Sequence, residues 1–68
     1  MSVAKVITIV GSSPAGFAEA AAAAVKEAAK TVRGIRGADV TSMTCTVDGD
    51  QIKEYRATVN IAFEVQNP

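Results

Sequence analysis

Asp48-Gly49-Asp50 sets two carboxylates one residue apart, the kind of oxygen pair that a hard cation such as calcium takes from a flexible loop. The same triplet is a hairpin signal, and without the later bidentate glutamate of an EF-hand loop the turn is the stronger reading. An assembly axis would shift that balance. A carboxylate such as Asp39 or Glu64 that meets its own copies builds, from several chains, a site no single sequence shows. Gly11-Ser12-Ser13 offers free N–H groups to a phosphate if a helix starts there, although helix capping alone accounts for it. Cys45 is a nucleophile only if something activates it. With no histidine in the chain to act as its base, and with threonines around it, it reads as a structural thiol. Tyr55 and Phe63 alternate with polar residues and read as core before ligand platform. Arg56 lies on the opposite face of the same strand, where an intersubunit ion pair with Glu54, Asp39 or Glu64 and a ligand-binding role weigh evenly. No paired catalytic carboxylates and no phosphate loop stand out, so the chain reads as not an enzyme.

The elements that must position these residues follow from periodicity. Residues 3–10 are β-branched and apolar on both alternating faces, with Val3, Ile7 and Ile9 on one and Ala4, Val6 and Val10 on the other, which predicts a strand covered on both sides. Gly11 is expected to end it. Ser12-Ser13-Pro14 then predicts a helix start, with a serine cap and proline at the first helical position. Residues 15–33 are alanine-rich and of high helix propensity. Phe17, Ala21, Ala24, Val25, Ala28, Val32 and Ile35 recur at steps of three and four along one stripe, with Glu19, Lys26, Lys30 and Arg33 opposite. Small side chains on that stripe predict a thin core, and Gly34 is the expected stop. Residues 36–47 predict a second strand, Asp48-Gly49-Asp50 a turn, and residues 53–65 a third strand of the most regular alternation. There Tyr55, Ala57, Val59, Ile61, Phe63 and Val65 point one way, and Glu54, Arg56, Thr58, Asn60, Ala62 and Glu64 the other. The fold class is α+β, in β-α-β-β order: a three-stranded antiparallel sheet wrapped around one helix, in a single domain over residues 1–68.

A chain of 68 residues is short of buried apolar area on its own. One cysteine and no histidine rule out an internal disulfide and a one-chain structural zinc set, which leaves self-association as the remedy. The hydrophobic fraction of 49% suits a subunit with a second surface to cover. Seven basic and seven acidic residues cancel, so neither nucleic acid nor an anionic membrane is an expected partner. The apolar stretch at residues 6–10 is too short for a signal or a membrane span, and an unpaired Cys45 suits a reducing compartment; the expected location is cytoplasmic.

Several stretches, spread over nearly the full length, resemble the dodecins. They are Lys5-Val6-Ile7, the Gly11-Ser12-Ser13-Pro14 turn into a helix near Phe17, Lys30-Thr31-Val32-Arg33, and Tyr55-Arg56 leading to Val59, Ala62, Phe63 and Glu64. The resemblance implies a hollow homododecamer of cubic symmetry, with flavin bound in pairs at subunit interfaces for storage or buffering. In that family a tryptophan at the start of the second strand stacks on the flavin ring, and Gly37 stands in its place here. A glutamine that hydrogen-bonds the ring edge is Arg56, which exchanges an amide for a donor-only cation. Arginines that contact phosphate in some bacterial dodecins align with Thr44 and Glu64. The shell is thus expected to persist with a degenerate flavin pocket at Gly37, Arg56, Thr44 and Glu64. A branch of the family that also lacks the tryptophan and has arginine after the tyrosine is calcium-binding. The expected function is a shell that stores a small ligand, riboflavin or FMN by resemblance; the alternative is a calcium-binding or purely structural shell without flavin.

Overall fold

The computed structural model describes residues 3–65. Strand β1 (Val3–Ser13) leads through a short turn into helix α1 (Phe17–Ala29), followed by β2 (Ile35–Asp48) and β3 (Gln51–Val65). The sheet order is β1-β3-β2, and β3 pairs antiparallel with both neighbours. Consequently β1 and β2 run parallel, and the helix is the crossover that carries the chain over β3. The β-α-β-β order and the three-stranded antiparallel sheet are those the sequence predicts. No helix among the described residues is long and apolar enough to cross a membrane.

Strand β3 pairs on both of its edges, and it alone among the strands contributes fully buried side chains to the core: Ala57, Val59 and Ile61 are completely buried. Against them lie Ala20, Ala24 and Ala28, at most 3% exposed, one row of the helix at steps of four. Ile61 and Val59 are the largest side chains fully buried, so the core is thin, as the alanines require. The predicted stripe is nonetheless slightly rotated. Its Ala21 and Val25 lie at the flank of the core, and Ala20, outside it, lies at the centre. Five consecutive alanines at 20–24 offer the same apolar surface in every direction, so their periodicity cannot select a face.

Three boundary expectations give way. Strand β1 does not end at Gly11 but continues to Ser13, with Gly11 paired to Ala57. Glycine is needed there because the helix lies directly on the strand: a Cβ at Gly11 would stand 2.1 Å from the Ala20 carbonyl oxygen. The helix starts at Phe17, with Gly16 as its cap and no side-chain capping bond. Ser13 instead accepts a hydrogen bond from the Ala15 N–H at 3.0 Å, bending the chain ahead of the helix, so Pro14 precedes the first turn. At the other end the helix stops at Ala29, not Arg33, as Lys30 and Thr31 donate to the carbonyls three residues back, which tightens the last turn. Gly34 serves a different purpose from a stop. Its φ of 77° reverses the chain into β2, and its carbonyl accepts from the Glu64 N–H at 3.0 Å.

The strand expected to be covered on both sides is covered on one within the subunit. Ile7 and Ile9 pack against the core, while Val6 and Val10 are 59% and 60% exposed. The same holds along the sheet. A helix of 13 residues is about 20 Å long, whereas a 15-residue strand runs about 50 Å. The molecule measures 54 × 19 × 12 Å with a radius of gyration of 14.0 Å, against about 11 Å for a compact chain of this length. Much of the β2–β3 ribbon therefore extends past the helix.

Candidate functional site

Residues directly paired across an antiparallel sheet share a face, so the register sorts the candidates. Gly37 pairs with Ala62, Thr44 with Arg56, and Asp39 with Asn60. On the other side of β3, Ser12 pairs with Arg56, Thr8 with Asn60, and Ala4 with Glu64. All of these lie on the face turned away from the helix, the outer face. Gly37, Arg56, Thr44 and Glu64 thus share one surface, but not one site. Thr44 and Arg56 sit side by side, whereas Gly37 and Glu64 lie six or more residues along the sheet, about 20 Å away by strand rise.

The ion pairs on this face are local. The Arg56 Nε donates to Glu54 Oε1 at 3.0 Å, two residues back on its own strand, so Arg56 pairs with Glu54 inside one subunit and not, as read from the sequence, between subunits. The Arg36 Nε donates to Glu64 Oε2 at 3.3 Å. All four side chains are at least a third exposed, and such pairs contribute about 0–1 kcal/mol each. Between them, Thr8 donates to Asn60 Oδ1 at 2.7 Å, a cross-strand bond at the centre of the face.

Two open grooves flank this centre. One, of about 400 Å³, is lined by Arg33, Gly34, Arg36 and Glu64. The other, of about 580 Å³, is lined by Thr46, Val47, Asp48, Lys53, Glu54 and Arg56. Arg33 and Arg36 were absent from the sequence candidates. Arg36 sits at a register irregularity between Ile35 and Gly37, which takes it out of the strand alternation. The signal available in the sequence is two arginines flanking Gly34 where helix passes to strand.

No aromatic ring reaches the outer face. Phe17 meets Tyr55 edge-on, with ring centroids 4.9 Å apart at 83°, and Phe63 shares Tyr55's face of β3; those two and Phe17 are the aromatic residues of the chain. A Cβ added at Gly37 would meet nothing within 4 Å. The position where the resemblance places a stacking ring thus carries no side chain and is open on the subunit's own surface.

Asp48-Gly49-Asp50 forms the hairpin. Asp48 pairs with Gln51, and a φ of 66° at Gly49 with none positive at Asp50 is the sign pattern of a type II′ turn. Among the described residues no three of His, Cys, Asp and Glu gather as metal ligands. The described residues of one subunit therefore offer no ready carboxylate cluster to a cation. Cys45, read as structural, is exposed on β2.

Comparison with known proteins adds to this geometry. The Dodecin family model matches residues 3–66. A curated relative, the calcium dodecin of Mycobacterium tuberculosis (strain ATCC 25618 / H37Rv), is 39% identical over 66 residues, covering 97% of this chain and 93% of its own. Among solved structures, a Thermus thermophilus dodecin carrying an arginine-to-alanine substitution is 28% identical with a TM-score of 0.94, covering 98% of this chain and all of that one (100%). The dodecin of Streptomyces coelicolor, 24% identical with a TM-score of 0.92 over 98% of this chain and 96% of that one, is alike in fold.

Proposed function

We propose, for a chain that belongs to the dodecin family, that it is the one-domain, non-catalytic subunit of a hollow homododecameric shell that holds a small ligand where copies meet. The observation that supports assembly is the mismatch between helix and sheet. One 13-residue helix lies over a sheet whose central strand has 15 residues, and Val6, Val10, Met43 and Val47 are left about 60% exposed. Apolar surface on that scale in a chain without disulfide or zinc set is surface awaiting a partner.

For the ligand, a hard cation of the calcium type is the better reading. Its support is twofold: the 39% identical relative named as a calcium dodecin, and an outer face that carries carboxylates and amide or hydroxyl oxygens (Asp39, Asn60, Thr8, Glu64) and no ring. Oxygen donors of this kind suit calcium once copies supply the remaining ligands. Flavin, as riboflavin or FMN, is the second reading. Family resemblance favours it, with Gly37, Arg56, Thr44 and Glu64 as the aligned positions, although Gly37 removes the stacking partner. A cytoplasmic location agrees with the free and exposed Cys45.

Three measurements test the proposal. Sedimentation at low micromolar concentration is expected to give one large closed species. Calorimetry with calcium, on protein stripped by chelator, is expected to give saturable heat, and a flat trace would leave a structural shell. Retention of riboflavin or FMN with fluorescence quenching in equilibrium dialysis would reinstate the flavin reading in place of the cation.

A further inference from the structure

We infer that the open groove where helix α1 passes to strand β2 is a binding site for a small aliphatic dicarboxylate, held at one end by Arg33 and at the other by Arg36. The groove, of about 400 Å³, is lined by Arg33, Gly34, Arg36 and Glu64. Small-molecule sites span about 300–1,000 Å³, so the space suits a short organic anion. The inference goes beyond the shell and its calcium or flavin ligand, since neither a metal ion nor a stacked ring takes part in it.

The backbone brings the two arginines together. Gly34, at a φ of 77°, reverses the chain, so that Arg33 before it and Arg36 after it line the same groove. The ordinary work of a basic residue past a helix end is to hydrogen-bond the last carbonyls. Here the backbone N–H groups of Lys30, Thr31 and Val32 already donate to the carbonyls of Glu27 and Ala28. Among the described residues Arg33 forms no ion pair, and Arg36 forms one, donating from Nε to Glu64 Oε2 at 3.3 Å. The groove therefore sets two cations against one anion.

Glu64 indicates the chemistry. Its carboxylate already occupies one edge of the Arg36 guanidinium, and the two side chains are 38% and 69% exposed. An exposed pair of this kind is weak and screened, so a competing carboxylate exchanges with it readily. The planar guanidinium fork matches a carboxylate through two parallel N–H···O bonds. Arg33 does not share Glu64 with Arg36, so the two forks address different points of the groove. A single compact oxyanion meets one of them, whereas a short chain with a carboxylate at each end meets both.

The test is isothermal titration calorimetry of the full chain with glutarate at constant ionic strength, with chelator present and flavin absent. Failure of the calcium or flavin reading then leaves the result unaffected. Glutarate is expected to bind about tenfold or more tighter than acetate or inorganic phosphate, the difference made by one further charge-assisted contact. Arg33→Gln and Arg36→Gln are each expected to abolish that advantage. Lys26→Gln, at an exposed helix position outside the groove lining, is expected to keep it. Glu64→Gln removes the internal competitor and leaves the backbone bond from the Glu64 N–H to Gly34 in place. It is expected to hold glutarate as tightly as the parent or up to about fivefold tighter. The assignment is overturned if glutarate shows no advantage over acetate or phosphate, if either arginine variant keeps the parent's affinity, or if Lys26→Gln or Glu64→Gln weakens binding. Should far-UV circular dichroism show a glutamine variant misfolded, Arg33→Lys and Arg36→Lys carry the test. Each keeps the charge and loses the fork, so each is expected to bind glutarate more weakly than the parent, and parent-like affinity in either overturns the assignment.

Discussion

Replacing Gly11 with alanine adds one methyl group, and the structure indicates that the fold cannot absorb it. The new Cβ would lie 2.1 Å from the Ala20 carbonyl oxygen, 2.8 Å from the Ala24 amide nitrogen and 2.9 Å from the Ala24 Cβ. None of these atoms is the end of a flexible side chain, so no rotamer change relieves the contact. The helix must move off β1 by about 1 Å, and in a close-packed interior that shift is felt by the whole alanine row. Overpacking of this kind costs about 1–3 kcal/mol, and rigid atoms on every side place this case at the upper end. For a domain of this size the loss corresponds to about 4–8 °C in Tm per kcal/mol. The assay is thermal and urea unfolding of parent and variant at one subunit concentration, because assembly makes the midpoint concentration-dependent. Ala24→Gly in the same chain removes one of the three contacts and leaves the shortest, so it is expected not to rescue. A Gly11→Ala variant within about 0.5 kcal/mol of the parent, or full rescue by Ala24→Gly, would refute the argument that the helix backbone rests on the strand.

Ile61→Ala removes the largest fully buried side chain and is expected to cost about 2–5 kcal/mol, measured as a lower urea midpoint at matched concentration. Arg36→Ala breaks the exposed 3.3 Å pair with Glu64 and is expected to change stability by less than about 1 kcal/mol in the same assay, so a larger loss would show that the pair is buried between copies. Gly37→Trp places a ring where an added Cβ meets nothing within 4 Å. By analogy with base stacking worth about 1–3 kcal/mol, it is expected to tighten riboflavin binding by roughly 5- to 150-fold, read by fluorescence quenching.

Strand β3 was legible because its apolar residues differ sharply from the polar ones between them, and a period of two then fixes both element and buried face. The helix was legible as a helix and not as a direction, since alanine in five successive positions carries no contrast. Gly11 was misread for a related reason. A glycine after an apolar run ordinarily signals an end, and the close approach that requires it comes from Ala20 and Ala24, residues a sequence window does not connect to it. Arg36 escaped because residues 36–47 were read as a strand without a face assignment, and the register shift between Ile35 and Gly37 leaves no simple alternation there to read. The candidate positions Gly37, Thr44, Arg56 and Glu64 came from family resemblance, and the register places them on one face at two separated points. Nothing within a single chain joins those points.

The alanine row links these features causally. Small side chains at 20, 24 and 28 let the helix approach until its backbone rests on Gly11, and the same smallness limits how much apolar area the subunit buries by itself. Burial contributes about 25 cal/mol per Å² of apolar surface, so a core whose largest members are Ile61 and Val59 gains little against the conformational entropy of ordering the chain. A larger helix face would cover more sheet and weaken the need for partners. The helix is instead short, close and alanine-rich, and it leaves Val40 and Met43 bare on its own side and Val6 and Val10 on the other. On this reasoning a substitution that enlarges the helix row does not strengthen the assembly. Ala20 is already in contact range of any atom added at Gly11, so added volume lifts the helix and shifts the very strands whose exposed residues must meet other copies.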